Sequence, residues 1–158
     1  MKSKVNQVAS LLLFLLFFSV NSNAQTKENK TNAEIQNVLK KWNDAAKKAN
    51  LEEFMSLYDD NPNAVLVGSA KGEIFIGKAQ IKSWLTQLFK NNTFQWEMNK
   101  IHIDSSQNTA WTFVDGAMIV TNKEGKEFRT PYRFTGILVK KNKDWKWRLF
   151  NGSVPESE

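Results

Sequence analysis

Asp115 is a carboxylate among aromatic residues: in strand periodicity it shares a face with Trp111, Phe113 and Ala117. Such surroundings can raise a carboxyl pKa and suit it to general acid or base work. The same dipeptide, Asp115-Gly116, also fits a bulge or turn that leaves the carboxylate in solvent. Near the C-terminus Trp145, Trp147, Leu149, Asn151 and Ser153 alternate onto one face, and Lys146, Arg148 and Phe150 onto the other. Asn151 and Ser153 therefore reach a cavity together, either orienting a polar ligand or tying down the strand end. Arg133 and Thr135 share a face and offer a hold for an anionic substituent or an outward dimer surface. Tyr58, Asp59 and Asp60 close a helix near the expected pocket mouth, where Asp60 is a polar contact or, before Pro62, a turn residue. His102 is the only histidine, set between Ile101 and Ile103 like an exposed edge residue, and there is no cysteine. Without companions for that histidine, neither a transition-metal site nor a cofactor is expected.

The elements that position these residues follow from periodicity. Thr31 and Glu34 have capping-box spacing and open a helix whose buried face is Ile35, Val38, Leu39, Trp42, Ala45, Ala46 and Ala49. Asn50 and Glu53 repeat that spacing ahead of Leu51, Phe54, Met55 and Tyr58. Two short strands, 64–67 and 73–76, flank a turn from Gly68 to Gly72. A third helix runs over about 78–90, with Ile81, Trp84, Leu85 and Leu88 buried. Beyond Asn91-Asn92 the period becomes that of strands, and three turn clusters cut the remainder into segments 94–103, 110–121, 127–140 and 145–154. In the first of these Phe94, Trp96 and Met98 fall out of phase with Ile101 and Ile103, which predicts a bulge near Asn99-Lys100. Helices first and strands last give an α+β class, a curved antiparallel sheet wrapped as a cone over three N-terminal helices.

Composition narrows the function classes. Lys2 and Lys4 precede an apolar run from Leu11 to Val20 and a polar stretch ending Ser22-Asn23-Ala24, the pattern of an export signal cleaved after Ala24. The run is shorter than the roughly 20 residues of a membrane span, so no anchor is expected after cleavage. Residues 1–24 are thus a signal peptide, 25–30 a flexible leader, 31–155 the domain and 156–158 a tail, in a periplasmic or secreted setting. Loss of Lys2 and Lys4 leaves 20 basic residues against 16 acidic, a mild +4. The basic residues are spread along the chain, which argues against a nucleic-acid partner.

With those elements in place the chain resembles the SnoaL-like proteins of the nuclear transport factor 2-like superfamily, which also contains ketosteroid isomerase. The likeness rests on Tyr58-Asp59-Asp60 leading into Ala64-Val65-Leu66-Val67-Gly68, on Gly72-Glu73-Ile74-Phe75-Ile76-Gly77, and on Trp145-Lys146-Trp147-Arg148-Leu149-Phe150-Asn151-Gly152-Ser153-Val154-Pro155. It implies a conical α+β barrel, a pocket between sheet and helices, and frequently a homodimer through the outer sheet face. It also implies departures. Trp42 and an apolar residue near Val67 stand where the isomerase has a tyrosine and an aspartate, and Asn151 stands where many relatives have histidine. With those proton carriers missing, the expected role is a non-catalytic module that dimerises or binds a small hydrophobic ligand, contacted by Trp42, Tyr58, Asp60, Trp111, Arg133, Asn151 and Ser153. One alternative is a lyase, isomerase or hydrolase of a hydrophobic carbonyl compound using Asp115; another is a protein-interaction domain working through the outer sheet face.

Overall fold

The first helix, α1, covers 28–47 in a computed structural model that describes residues 28–156. The expected export signal, and the leader up to Lys27, lie outside the described residues. Residues 28–30 are helical, so Thr31 stands inside α1 rather than opening it. Glu28 and Lys30 are good helix formers, and nothing there breaks a helix. The chain divides into a unit ending at Ala33 and another from Glu34 onward; the second contains the rest of α1, both later helices and the whole sheet.

Ile35, Val38, Leu39, Trp42, Ala45 and Ala46 form the buried face of α1, as their spacing predicts. The helix ends in a left-handed residue, Ala49, with the Ala49 N–H donating to Ala46 O and the Asn50 N–H to Ala45 O. Asn50 then caps α2 (Leu51–Ser56): its side-chain oxygen accepts the Glu53 N–H at 3.1 Å and its amide donates to the Glu53 carboxylate. Two short strands, β1 (Val65–Val67) and β2 (Ile74–Ile76), precede α3 (Lys78–Asn91). The long strands β3 (Asn92–Ser106), β4 (Thr109–Asn122), β5 (Glu127–Lys141) and β6 (Asp144–Ser153) follow.

The sheet order is β2-β1-β6-β5-β4-β3. Every neighbouring pair is antiparallel except β1 with β6, which run parallel. The sheet is therefore antiparallel, as expected, apart from this one parallel pair, in which the last strand returns past the meander to lie beside the first. The register of β3 on β4 slips between Met98 and Lys100, where the parity break predicts a bulge. A second slip has no such sign in the sequence. Ile137 pairs with Leu149 but Leu138 with Trp147, so Arg148 is an extra residue in β6.

That residue is held by charge. Asp59, one of the few buried polar groups, accepts from Arg148 Nε at 2.8 Å and from Nη2, and its own N–H donates to Trp147 O. At the two sheet edges side-chain amides stand in for a missing strand. Asn43 donates to Trp96 O and accepts the Trp96 N–H at 2.8 Å along β3, and the Gln80 side chain accepts the Ile76 N–H along β2. Inside, Trp42 packs against Trp96 at 4.1 Å between ring centroids, and against Phe150, Phe54, Phe134 and Trp147 at 5.2–5.5 Å. Aromatic rings therefore fill most of the space between sheet and helices.

Candidate functional site

What the rings leave is a cavity of about 110 Å³ bounded by α1, α2, α3 and the inner face of the sheet. Trp42, Phe54, Phe89, Phe94, Trp96 and Phe150 form most of its wall, and its polar groups gather at one end, on Ser69, Glu73 and Tyr132. Ser69 is exposed and Glu73 partly so, which makes this end the mouth. The short β1–β2 hairpin places Glu73 there: the Gly68 N–H donates to Glu73 O, and the Ala70 N–H to its carboxylate at 2.9 Å. Tyr132 arrives from β5, on the inward parity it shares with Phe134 and Leu138.

Two glycines make room for these groups. A Cβ at Gly68 would lie 2.1 Å from Glu73 Oε2, and one at Gly152 1.9 Å from Tyr132 Oη. Val67 pairs with Asn151, so Gly68 and Gly152 follow side by side on neighbouring strands and form a floor without side chains. Burial raises the Tyr132 hydroxyl above the ordinary tyrosine range; the Ser69 hydroxyl partly offsets this, and the Glu73 carboxylate adds to it. Tyr132 is therefore a protonated donor at neutral pH, beside a carboxylate, against an apolar wall. That is the composition of an acid–base site.

Further inside there are donors without acceptors. The indole N–H groups of Trp42, Trp96 and Trp147 and the Tyr58 hydroxyl are buried with no hydrogen-bond partner. Trp42 and Tyr58 approach each other without good hydrogen-bond geometry, and burial pushes the Tyr58 hydroxyl well up. A larger groove, about 400 Å³, lies between α1, α2 and the β5–β6 turn. Lys41, Glu53, Lys143, Asp144 and Lys146 line it with mixed charge, and Trp145 is its only aromatic ring, so it lacks the apolar enclosure of an acid–base pocket. Among the described residues no three His, Asp or Glu cluster in a metal-holding arrangement, and no helix is long and apolar enough to cross a membrane.

Of the residues singled out from sequence, Trp42 alone lines the inner cavity. Tyr58 is buried behind Phe54, 5.8 Å away between ring centroids, and Asp60 is exposed and paired with Lys78. Asp115 lies on the outer face, paired in register with Arg133 and accepting from its Nε at 2.9 Å. This corrects its expected place in a pocket: Ala110, Thr112 and Val114 take the inward parity, so Trp111, Phe113 and Asp115 point out. Asn151 and Ser153 are exposed on that outer face too, opposite Thr135 and Arg133, because the extra Arg148 reverses the alternation after Trp147. His102 is exposed on the same side. Sequence reasoning misses Glu73, Tyr132 and Ser69. Tyr132 has a signal, since Tyr132, Phe134 and Leu138 alternate as one apolar face; Glu73, one residue after a turn glycine, has none.

The fold recurs widely. A protein assigned as a dehydratase of the nuclear transport factor 2-like family from Streptomyces avermitilis superposes with a TM-score of 0.70 at 12% identity, over 82% of this chain and 99% of its own. One assigned as a scytalone dehydratase from Novosphingobium aromaticivorans gives 0.70 at 14% identity, over 84% and 93%. A nuclear transport factor 2-like superfamily protein from Salmonella enterica serovar Typhimurium gives 0.72 at 17%, over 82% and 94%. No curated protein sequence matches the chain. The first two neighbours correct the expectation of a non-catalytic module, because proteins with this fold and this degree of likeness are assigned to dehydration chemistry. The family model of the SnoaL-like domain matches residues 35–157, and the chain belongs to that family.

Proposed function

We propose that the chain is a lyase that dehydrates a small, largely apolar hydroxy-carbonyl compound, with Glu73 as base and Tyr132 as proton donor. The observation that supports this is the meeting of a carboxylate and a protonated phenol at the mouth of an aromatic-walled cavity. Glu73 takes the proton from the carbon beside the carbonyl, and the electron pair passes onto the carbonyl oxygen. Its return forms the carbon–carbon double bond and breaks the bond to the β-hydroxyl, which takes the Tyr132 proton and leaves as water. Solvent at the mouth, where Ser69 is exposed, returns the proton from Glu73 to Tyr132. Asp115, across the sheet, has no part in this scheme.

The test is to incubate the purified protein with β-hydroxy ketones and follow the absorbance of the conjugated enone. Turnover is expected to fall roughly 10²–10³-fold in both Glu73→Gln and Tyr132→Phe, with thermal unfolding little changed. Full activity in either variant would remove the proposal.

A homodimer is the second part of the reading. On the outer face the register sets Ile76, Val65, Leu149, Ile137 and Trp111 side by side across five strands, with Trp111 41% and Ile137 36% exposed. A contiguous apolar stripe of that extent suits a second copy. Sedimentation at micromolar concentration tests it, a monomer being the contrary result. Export to the periplasm or medium, inferred from residues 1–24, is tested by locating the processed chain in cell fractions.

A further inference from the structure

We infer that the occupant of the inner cavity is an uncharged compound of a single ring, inserted ring first with a hydroxyl toward Glu73 at the mouth. This deepens the reading of the cavity as the active site and rests on it. Size is the first observation. Pockets for drug-sized ligands run to roughly 300–1,000 Å³, and an apolar cavity of about 150 Å³ holds benzene. The space here is about 110 Å³, open at one end. One ring enters it with a substituent in the mouth, and a fused second ring does not. The wall agrees, since Phe89, Phe94 and Trp96 offer flat faces, with centroids of successive pairs 6.0 and 6.2 Å apart.

Polarity is the second observation, and it gives the direction of insertion. No carboxylate or cationic side chain other than Glu73 lines the cavity, so a charged group would be buried there unpaired. At the mouth Glu73 accepts a hydrogen bond from a hydroxyl, and its negative charge turns away an anionic substituent. Met118 is part of the same wall, so shortening it widens the space.

The experiment is calorimetric titration of the purified protein with two probes: 4-hydroxyacetophenone and its two-ring counterpart 6-hydroxy-2-acetonaphthone. The one-ring ketone is expected to bind at least tenfold tighter than the two-ring ketone, and Met118→Ala to narrow that ratio. Equal or tighter binding of the two-ring ketone, or no binding of either ketone, overturns the inference. Assaying turnover in the unsubstituted protein beside the titration separates it from the catalytic reading: size selection without turnover keeps the occupant and removes the lyase, and turnover of two-ring substrates does the reverse.

Discussion

The two faces of the sheet are made by the same strands and hold different things. The inner face carries Tyr132, Phe134, Trp147 and Phe150 against the helices, and the outer face carries Trp111, Phe113, Leu149 and Ile137 beside an Asp115–Arg133 ion pair. A residue's chemistry here depends less on its type than on its parity, and parity depends on where a strand gains a residue. Asp115 and Glu73 are both carboxylates. One faces an arginine in solvent, and the other faces a phenol at the edge of an apolar cavity.

The sharpest test of that contrast is a pair of amide substitutions. Glu73→Gln is expected to lower turnover roughly 10²–10³-fold and Asp115→Asn to leave it unchanged, as read by initial rates on a β-hydroxy ketone. The reverse result would exchange the roles of the two faces. Next in size is Asp59→Asn, which leaves the Arg148 guanidinium partly buried without its counter-charge. Urea denaturation is expected to show a loss of about 3 kcal/mol, the low end for a broken buried pair because the Arg148 side chain is 28% exposed.

Parity also decides how much of the molecule was legible in the sequence. The bulge beside Asn99 shows itself, because apolar residues at 94, 96 and 98 give way to apolar residues at 101 and 103. The one at Arg148 is hidden: Leu149 and Phe150 are both apolar, so either satisfies an alternation begun by Trp145 and Trp147. Following Leu149 sends Asn151 and Ser153 inward; the structure follows Phe150 and sends them out. The helices, the turns and the capping of α2 are local, and sequence spacing carries them. The site is not local, since Glu73 and Tyr132 come together only through the placing of β1 next to β6 and of β6 next to β5.

A smaller effect is expected from the outer face alone. Ile137→Asp puts a charge in the middle of the apolar stripe and is expected to weaken self-association at least tenfold by sedimentation, while initial rates per chain stay within a factor of two. A fall in both would show that the two faces are coupled. The smallest effect concerns alkaline pH. Burial holds the Tyr58 and Tyr132 hydroxyls above their unfolded pKa of about 10, so above that pH the native state binds more protons than the unfolded chain. Stability should therefore decline as pH rises from about 10 towards the native values. Tyr58→Phe removes one contribution and an unpaired hydroxyl together. It is expected to leave stability at neutral pH the same or up to about 1 kcal/mol higher, and to flatten the alkaline decline in thermal melts.

Asn43 and Gln80 have a consequence for how copies of this chain can meet. Their amides occupy backbone groups at Trp96 and Ile76 that a visiting strand would otherwise claim. Growth of the sheet into a ribbon through many molecules is discouraged at both ends by two ordinary polar residues. Any association of copies is thereby left to broad surfaces, where a twofold pair would close on itself and stop.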